Sequence, residues 1–359
     1  MNVSRKVNFS AGPAVLPLEV VEEARENLLS FAGSGLGILE MSHRGKLFEN
    51  VIQQAEGDVR ELLGVGEEFA VLFLTGGASQ QFFQVPMNFL SPGQVANYTN
   101  TGTWADKAIK EAKRFGEVHV AASSKADNYT YIPPTADYRT GARYTHFTSN
   151  NTIFGTQWRR EPASPDLLVC DASSDFMSRP LDMARYAMIY AGAQKNLGPA
   201  GVTLVVIRKD FAESGSKDLP TLLQYRTHVA ENSLHNTAPV FPIYVVSLVL
   251  KWLKKLGGLQ AMAHRNEAKA GELYRVLDSS AYWTTPVRED SRSLMNVVFR
   301  LPSEELENKF LKEAEAQGYS GLKGHRSVGG IRASIYNAFE PSDLSAFCEF
   351  MKDFERRNG

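Results

Sequence analysis

Short apolar runs alternate along this chain with longer stretches whose apolar positions recur every three or four residues, so strands and helices are predicted in turn. The strand-like runs are Ala70–Leu74, Val95–Tyr98, Glu117–Ala121, Tyr144–Thr148, Leu167 onward to Asp171, Met188–Ala193 and Val202–Ile207. Helical spacing marks Leu18–Phe31, Phe48–Leu63, Gln80–Leu90 despite Pro86, and Ala105–Arg114. Alternation of this kind implies an α/β fold, a mostly parallel sheet flanked by helices.

The pattern changes after a further helical stretch, Ile243–Leu256. Beyond Gly257-Gly258, a long helix over Leu259–Leu277, a strand Asn296–Arg300, a helix Glu304–Gln317, a strand Ile331–Ile335 and a last helix Ser342–Arg356 predict a smaller α+β unit. The expected division is a large domain over residues 16–257 and a small one over 258–359. The opening segment, with Gly12-Pro13, is turn chemistry.

Length and composition narrow the function. A chain of 359 residues, 43% apolar and 22% charged, buries a large core and excludes disorder. Lysine and arginine total 39 against 40 acidic residues, so no basic field recruits nucleic acid or an anionic membrane. The longest apolar run, Val240–Leu250, contains Pro242 and falls short of the ~20 residues that span a bilayer. Residues 1–10 lack an apolar signal core, and a cytoplasmic protein is expected. Cys170 and Cys348 are too few for a disulfide framework or a zinc site. Small-molecule chemistry is left.

That chemistry centres on Tyr190–Gly201, where Lys195 stands between an apolar run and a Gly/Pro-rich turn into the next strand. A strand end followed by a tight turn holds the backbone rigidly and presents a side chain to a cleft. Asp171 closes another predicted strand. A lysine and a carboxylate on one rim of a sheet suit pyridoxal phosphate: the lysine forms a Schiff base, and the carboxylate keeps the pyridine nitrogen protonated so that the ring accepts electrons. Trp104 can stack on that ring. The small-residue loop Gly76–Ser79, between strand and helix, can hold the phosphate through backbone N–H groups. Singly, each has a plainer role as surface lysine, helix cap, core tryptophan or tight turn; their joint occurrence points to the cofactor.

The segments Asn8–Pro13, Ser42-His43-Arg44, Asp171 with Ser173-Ser174, Gln194–Gly201, His235–Pro239 and Lys323–Ala338 together resemble the phosphoserine aminotransferase family, within class V of the aminotransferases. The resemblance implies an aspartate aminotransferase-like, fold-type I enzyme, homodimeric, with active sites at the interface and residues 1–15 lying at the active site. It implies pyridoxal 5'-phosphate on Lys195, with Asp171 at the pyridine nitrogen, Trp104 on the ring, and Thr152 and Gln194 at its edge. Ala78 and Ser79 would bind the phosphate, joined by Asn236 and Thr237 of the neighbouring subunit. Some relatives carry Gly-Arg where this chain has Ala78-Ser79, so the phosphate depends more on backbone N–H groups and the Ser79 hydroxyl.

For the substrate, the resemblance implies Arg332 on the α-carboxylate. His43, Arg44, His325 and Arg326 would take the phosphate or distal carboxylate, some across the interface, with Ser10 helping to position the molecule. Arginine forks suit substrates that are anionic at both ends. The implied reaction is a reversible transamination between O-phospho-L-serine and 2-oxoglutarate, giving 3-phosphohydroxypyruvate and L-glutamate in serine biosynthesis. The phosphorylated hydroxythreonine of vitamin B6 synthesis is a second candidate substrate. Lys195, as the base that moves the Cα proton, is expected to titrate below a surface lysine. The alternatives are an alanine–glyoxylate type aminotransferase, a pyridoxal phosphate lyase such as a desulfurase with a mobile reactive cysteine, and a non-enzymatic binding module.

Overall fold

In the computed structural model, which describes residues 5–359, seven strands form one sheet. Their spatial order is Phe69–Leu74, Thr203–Arg208, Tyr186–Gly192, Leu168–Asp171, Thr145–Thr148, Val95–Asn100 and Glu117–Ser123. Neighbours pair in parallel except at Thr203–Arg208, which runs antiparallel to both of its partners.

Both faces of the sheet are covered. Val71, Phe73, Leu168, Cys170, Leu204 and Val206 pack in a core with the helices Leu18–Glu26, Lys46–Leu63 and Val240–Lys255. The alternate residues Ala70, Leu72, Val169, Val205 and Ile207 pack on the other side with Gly77–Phe89 and Thr103–Ala112. Burial on two faces is why these runs are continuously apolar and not alternating.

A further core joins Leu273, Phe310, Phe347 and Phe354. It lies between the helices Gly258–Leu277, Glu304–Ala316 and Pro341–Asn358 and the antiparallel pair Asn296–Phe299 and Ile331–Ser334. The helix Gly258–Leu277 serves two cores: Leu259 and Met262 pack with the sheet, and Ala270 to Leu277 with the later elements.

Several helices differ from their predicted extents, and two show why. The first stops at Glu26 because Asn27 turns its side chain on the helix end, Nδ2 donating to Glu23 O at 2.9 Å while Oδ1 accepts from Ala32 N at 2.9 Å. The helix expected from Gln80 begins at Gly77, since Gly76, at φ 87°, turns the chain and the small residues Gly77–Ser79 carry no apolar period.

The N-terminal segment is tied at several points. Val7–Asn8 pairs in parallel with Tyr319–Ser320, and Phe9 is fully buried in the last core. The Tyr336 hydroxyl donates to Ala11 O at 2.7 Å, and Ala14 N donates to Gln194 O at 2.9 Å. The portion of the expected segment 1–15 that precedes Arg5 lies outside the described residues.

Lys269, 1% exposed, clamps the strand end that follows Arg332: its Nζ donates to Ile335 O at 3.1 Å and Tyr336 O at 2.6 Å. Burial pulls its pKa down to about 7, with Arg265 acting in the same direction. Between that value and the ordinary lysine range near 10.5 the unfolded chain holds a proton that the native state lacks, so this residue's contribution to stability grows as pH rises across the window. Lys269→Met is therefore expected to lower stability by about 1–3 kcal/mol for the hydrogen bonds lost, with a deficit that widens from pH 7 towards pH 10. Urea unfolding at several pH values measures both; a deficit independent of pH would contradict the assignment.

Candidate active site

The strands Phe69–Leu74, Val95–Asn100, Thr145–Thr148, Leu168–Asp171 and Tyr186–Gly192 point the same way, so their C-terminal ends share one rim. The antiparallel strand starts on that rim at Thr203. The lysine turn is the link between them. Ala193 N donates to Val202 O at 3.1 Å, and Gly201, at φ 114°, closes a bend that a side chain would strain.

A cavity opens on the rim, lined among others by Ala78, Ser79, Trp104, Asp171, Gln194 and Lys195. Lys195 Nζ donates to Thr152 Oγ1 at 2.7 Å and lies 5.6 Å from the centroid of the Trp104 ring. Burial brings its pKa down to about 8; Asp171 and Asp175 work against that shift and Arg332 works with it. The direction is the one expected of a proton carrier, with burial as its main cause and a positive neighbour as a lesser one.

Asp171 is 4% exposed. Ser173 donates to its Oδ1 twice, from the backbone N at 3.0 Å and from Oγ at 2.6 Å. Hydrogen bonds to a charged group contribute about 1.5–3 kcal/mol each, yet burial outweighs them and the carboxyl is raised above its ordinary value. A cationic partner in the cavity would reverse that shift.

Arg332, on the strand Ile331–Ser334, reaches this centre from the later elements, its Nη1 donating to Thr152 O at 3.3 Å. Its Nε is buried without a partner. His325 and Arg326 sit on the preceding loop, where the His325 ring meets Ser327 Oγ at 2.7 Å. Burial lowers the pKa of His325, and the charges of Arg332, Arg326 and Lys107 lower it further. Ser10 stands beside Gly321, where an added Cβ would come within 2.5 Å of its Oγ.

Other predicted residues lie elsewhere in the single chain. His43 and Arg44 line a separate cleft with Glu49, Glu56 and Glu231. Asn236 and Thr237 are exposed, Asn236 on a third cleft below the end of Phe69–Leu74. One chain does not bring these four to Lys195.

Three residues near the centre carried no assignment from the sequence. Asp175 is a second buried carboxylate, accepting from the Ser149 hydroxyl and from Gln157 Nε2 at 3.0 Å. Tyr336 joins the N-terminal segment to Asn296, whose Nδ2 donates to the hydroxyl at 3.1 Å. Lys107 Nζ lies 4.5 Å from the Trp104 ring centroid, a contact legible only as its spacing of three from Trp104 along a helix.

These groups fit pyridoxal phosphate. The helix Gly77–Phe89 has no side-chain cap at its N-terminus, so its first N–H groups are open to an anion beside Ala78 and Ser79. Both hydrogen bonds on Asp171 go to Oδ1, which leaves Oδ2 for a ring N–H. Trp104 Nε1 is buried without a partner.

Residues 6–347 match the family model described as aminotransferase class-V. The chain belongs to the class-V aminotransferases. Among its class-V relatives, the phosphoserine aminotransferase of Desulfosudis oleivorans is 52% identical over 358 residues, 99% of each chain. A solved phosphoserine aminotransferase from Bacillus circulans subsp. alkalophilus superposes with a TM-score of 0.96 at 49% identity, covering 99% of both chains. The pyridoxal phosphate-bound phosphoserine aminotransferase of Trichomonas vaginalis gives 0.92 at 36% identity, over 97% of this chain and 100% of its own. The class-V fold is thus the fold-type I arrangement expected from the sequence.

Proposed function

We propose that this chain catalyses pyridoxal phosphate-dependent transamination between O-phospho-L-serine and 2-oxoglutarate, giving 3-phosphohydroxypyruvate and L-glutamate in serine biosynthesis. The observation that carries the chemistry is a single cavity joining a lysine of lowered pKa to a buried carboxylate. The substrate follows from full-length relatives of about half identity that bear this activity's name.

Lys195 would hold the cofactor through Nζ, Asp171 its ring nitrogen, Trp104 its face, and Thr152 and Gln194 its edge. Ala78, Ser79 and the helix N-terminus would take its phosphate. When bound, the cofactor supplies an electron sink that makes the substrate Cα–H acidic. Lys195 Nζ, freed when the substrate amine takes its place, would remove that proton and return it as an acid. A pKa of about 8 suits both tasks near neutrality, and Thr152 Oγ1 orients the amine. Arg332, fixed beside Thr152, binds the α-carboxylate, with Ser10 alongside. His325 and Arg326 take the distal anion.

His43, Arg44, Asn236 and Thr237 lie away from Lys195 in their own chain, which supports a homodimer in which each subunit completes its partner's site. Both substrates are soluble anions, in keeping with a cytoplasmic place, and no helix among the described residues is long and apolar enough to cross a membrane.

The desulfurase alternative loses its nucleophile. Cys170 and Cys348 are buried, and burial pushes Cys348 up to about 12 and Cys170 well above its ordinary value. The test is turnover by the holoenzyme of phosphoserine with 2-oxoglutarate, against serine and alanine as donors. Phosphoserine is expected to be preferred by at least about a hundredfold in kcat/KM, as donors without a distal anion leave His325 and Arg326 without a counter-charge; equal use of alanine would overturn the substrate assignment.

A further inference from the structure

We propose that Thr148 is a further cofactor-binding residue of this site, its hydroxyl meeting the nitrogen edge of pyridoxal phosphate beside the carboxylate of Asp171. The inference rests on the transaminase reading above and adds to it a side chain from the strand Thr145–Thr148.

The sheet brings the two residues together. Thr148 pairs in register with Asp171 across parallel strands, and such strands lie about 4.8 Å apart. Each is the last residue of its strand, and each side chain points to the sheet face against which Trp104 packs. On one strand, Val169 lies in the core under the helices Gly77–Phe89 and Thr103–Ala112; Asp171, two positions on, shares that side. On the other, His146 stacks on Tyr98 of the same core, 4.7 Å between ring centroids, and meets the Tyr190 hydroxyl at 2.8 Å. Thr148 follows it by two. Accordingly Thr148 lines the cavity that also holds Asp171, Trp104 and Lys195.

Its hydroxyl is uncommitted. Thr148 is 2% exposed, and among the described residues its Oγ1 has no hydrogen-bond partner. The other buried hydroxyls of the cavity are taken: Ser173 Oγ donates to Asp171 Oδ1 at 2.6 Å, and Ser174 Oγ to Asn150 O at 2.8 Å. Asp171 accepts twice at Oδ1, so its Oδ2 and Thr148 Oγ1 are both open to a third group. A buried hydroxyl left without a partner is destabilising, and valine would fill the same volume without that cost. A ring that enters the cavity supplies the partner.

The position selects the nitrogen edge of that ring. The phosphate end falls to Ala78, Ser79 and the helix N-terminus, and the end joined to Lys195 falls to Thr152, whose Oγ1 is 2.7 Å from Nζ. The side next to Asp171 is left for Thr148. A carboxylate only accepts hydrogen bonds, whereas a hydroxyl both donates and accepts, so the two give the ring nitrogen one charged and one neutral partner.

The test compares the full-length wild type with Thr148→Val, which keeps the shape and removes the hydroxyl, and Thr148→Ser, which keeps the hydroxyl. Wild type is first titrated with pyridoxal phosphate and followed by its visible absorption band; absence of the band overturns the transaminase reading itself. Given the band, Thr148→Val is expected to raise the dissociation constant of the cofactor by about tenfold, and Thr148→Ser by less than about threefold. Without cofactor the order reverses: Thr148→Val is expected to melt at or above the temperature of wild type, because the unpartnered hydroxyl is gone. Added cofactor is then expected to raise its melting temperature by less than it raises that of wild type. An unchanged dissociation constant in Thr148→Val overturns the inference. So does a Thr148→Val chain that melts below wild type without cofactor, or fails to fold, which would make the hydroxyl a partner of the protein and not of the ring.

Discussion

Lys195→Ala is expected to lower kcat/KM by on the order of 10⁴-fold and to remove the visible absorption band that a lysine-linked cofactor gives, with the fold intact. The side chain has two duties: it anchors the cofactor and it carries the Cα proton. Nothing else on the rim replaces it. His325 is another titratable group, but burial and the charges of Arg332, Arg326 and Lys107 lower its pKa, and it sits on the loop with Arg326, apart from the turn that holds Nζ against Thr152. Stability does not suffer from the change, because below pH 8 the native state holds this ammonium against the pull of burial. Absorption spectra after addition of pyridoxal phosphate, turnover of phosphoserine and a thermal melt check the three parts. Retention of the band in a folded variant would assign the covalent link to another residue.

Asp171→Asn is expected to cost about 10²–10³-fold in kcat with a much smaller effect on KM. The amide has the shape of the carboxylate and still accepts from Ser173 at one oxygen, so the cavity is unchanged. What it lacks is the negative charge that keeps a ring nitrogen protonated in a buried site. The loss falls on the step that needs an electron sink and not on binding. Steady-state kinetics separate the two, and a variant within about threefold of wild type in kcat would remove Asp171 from the mechanism.

The sheet was legible because its central strands are buried on both faces, which makes their apolar runs unmistakable. Their ends were not, because ends are set by polar geometry: Asn27 stops a helix that its apolar spacing would carry on to Phe31, and Gly76 starts one where the spacing is silent. Asp171 and Lys195 stood out because a strand end carries a charge only at some cost. Asp175 and Tyr336 did not, since a buried carboxylate held by Ser149 and Gln157 and a tyrosine aimed at Ala11 O depend on contacts across long stretches of chain. The resemblance put Asn236 and Thr237 of a neighbouring subunit at the cofactor phosphate and His43 and Arg44 with His325 and Arg326 at the distal anion, but a single chain cannot say which copy of the cavity His43 and Arg44 serve.

The N-terminal segment has a mechanical consequence. Between Val7 and Ala14 the chain is fastened at one end to Ser320 and Ser334, among the later elements, and at the other to Gln194, next to the reactive lysine. Phe9 is lodged among Phe339 and Phe347, 4.6 Å from each in ring centroids. A rigid rotation of the later elements against the sheet therefore pulls a short tether whose far end is the backbone beside Lys195. Closure over a substrate held by Arg332 would be felt at the amine through seven peptide bonds, independently of any contact made by the substrate itself.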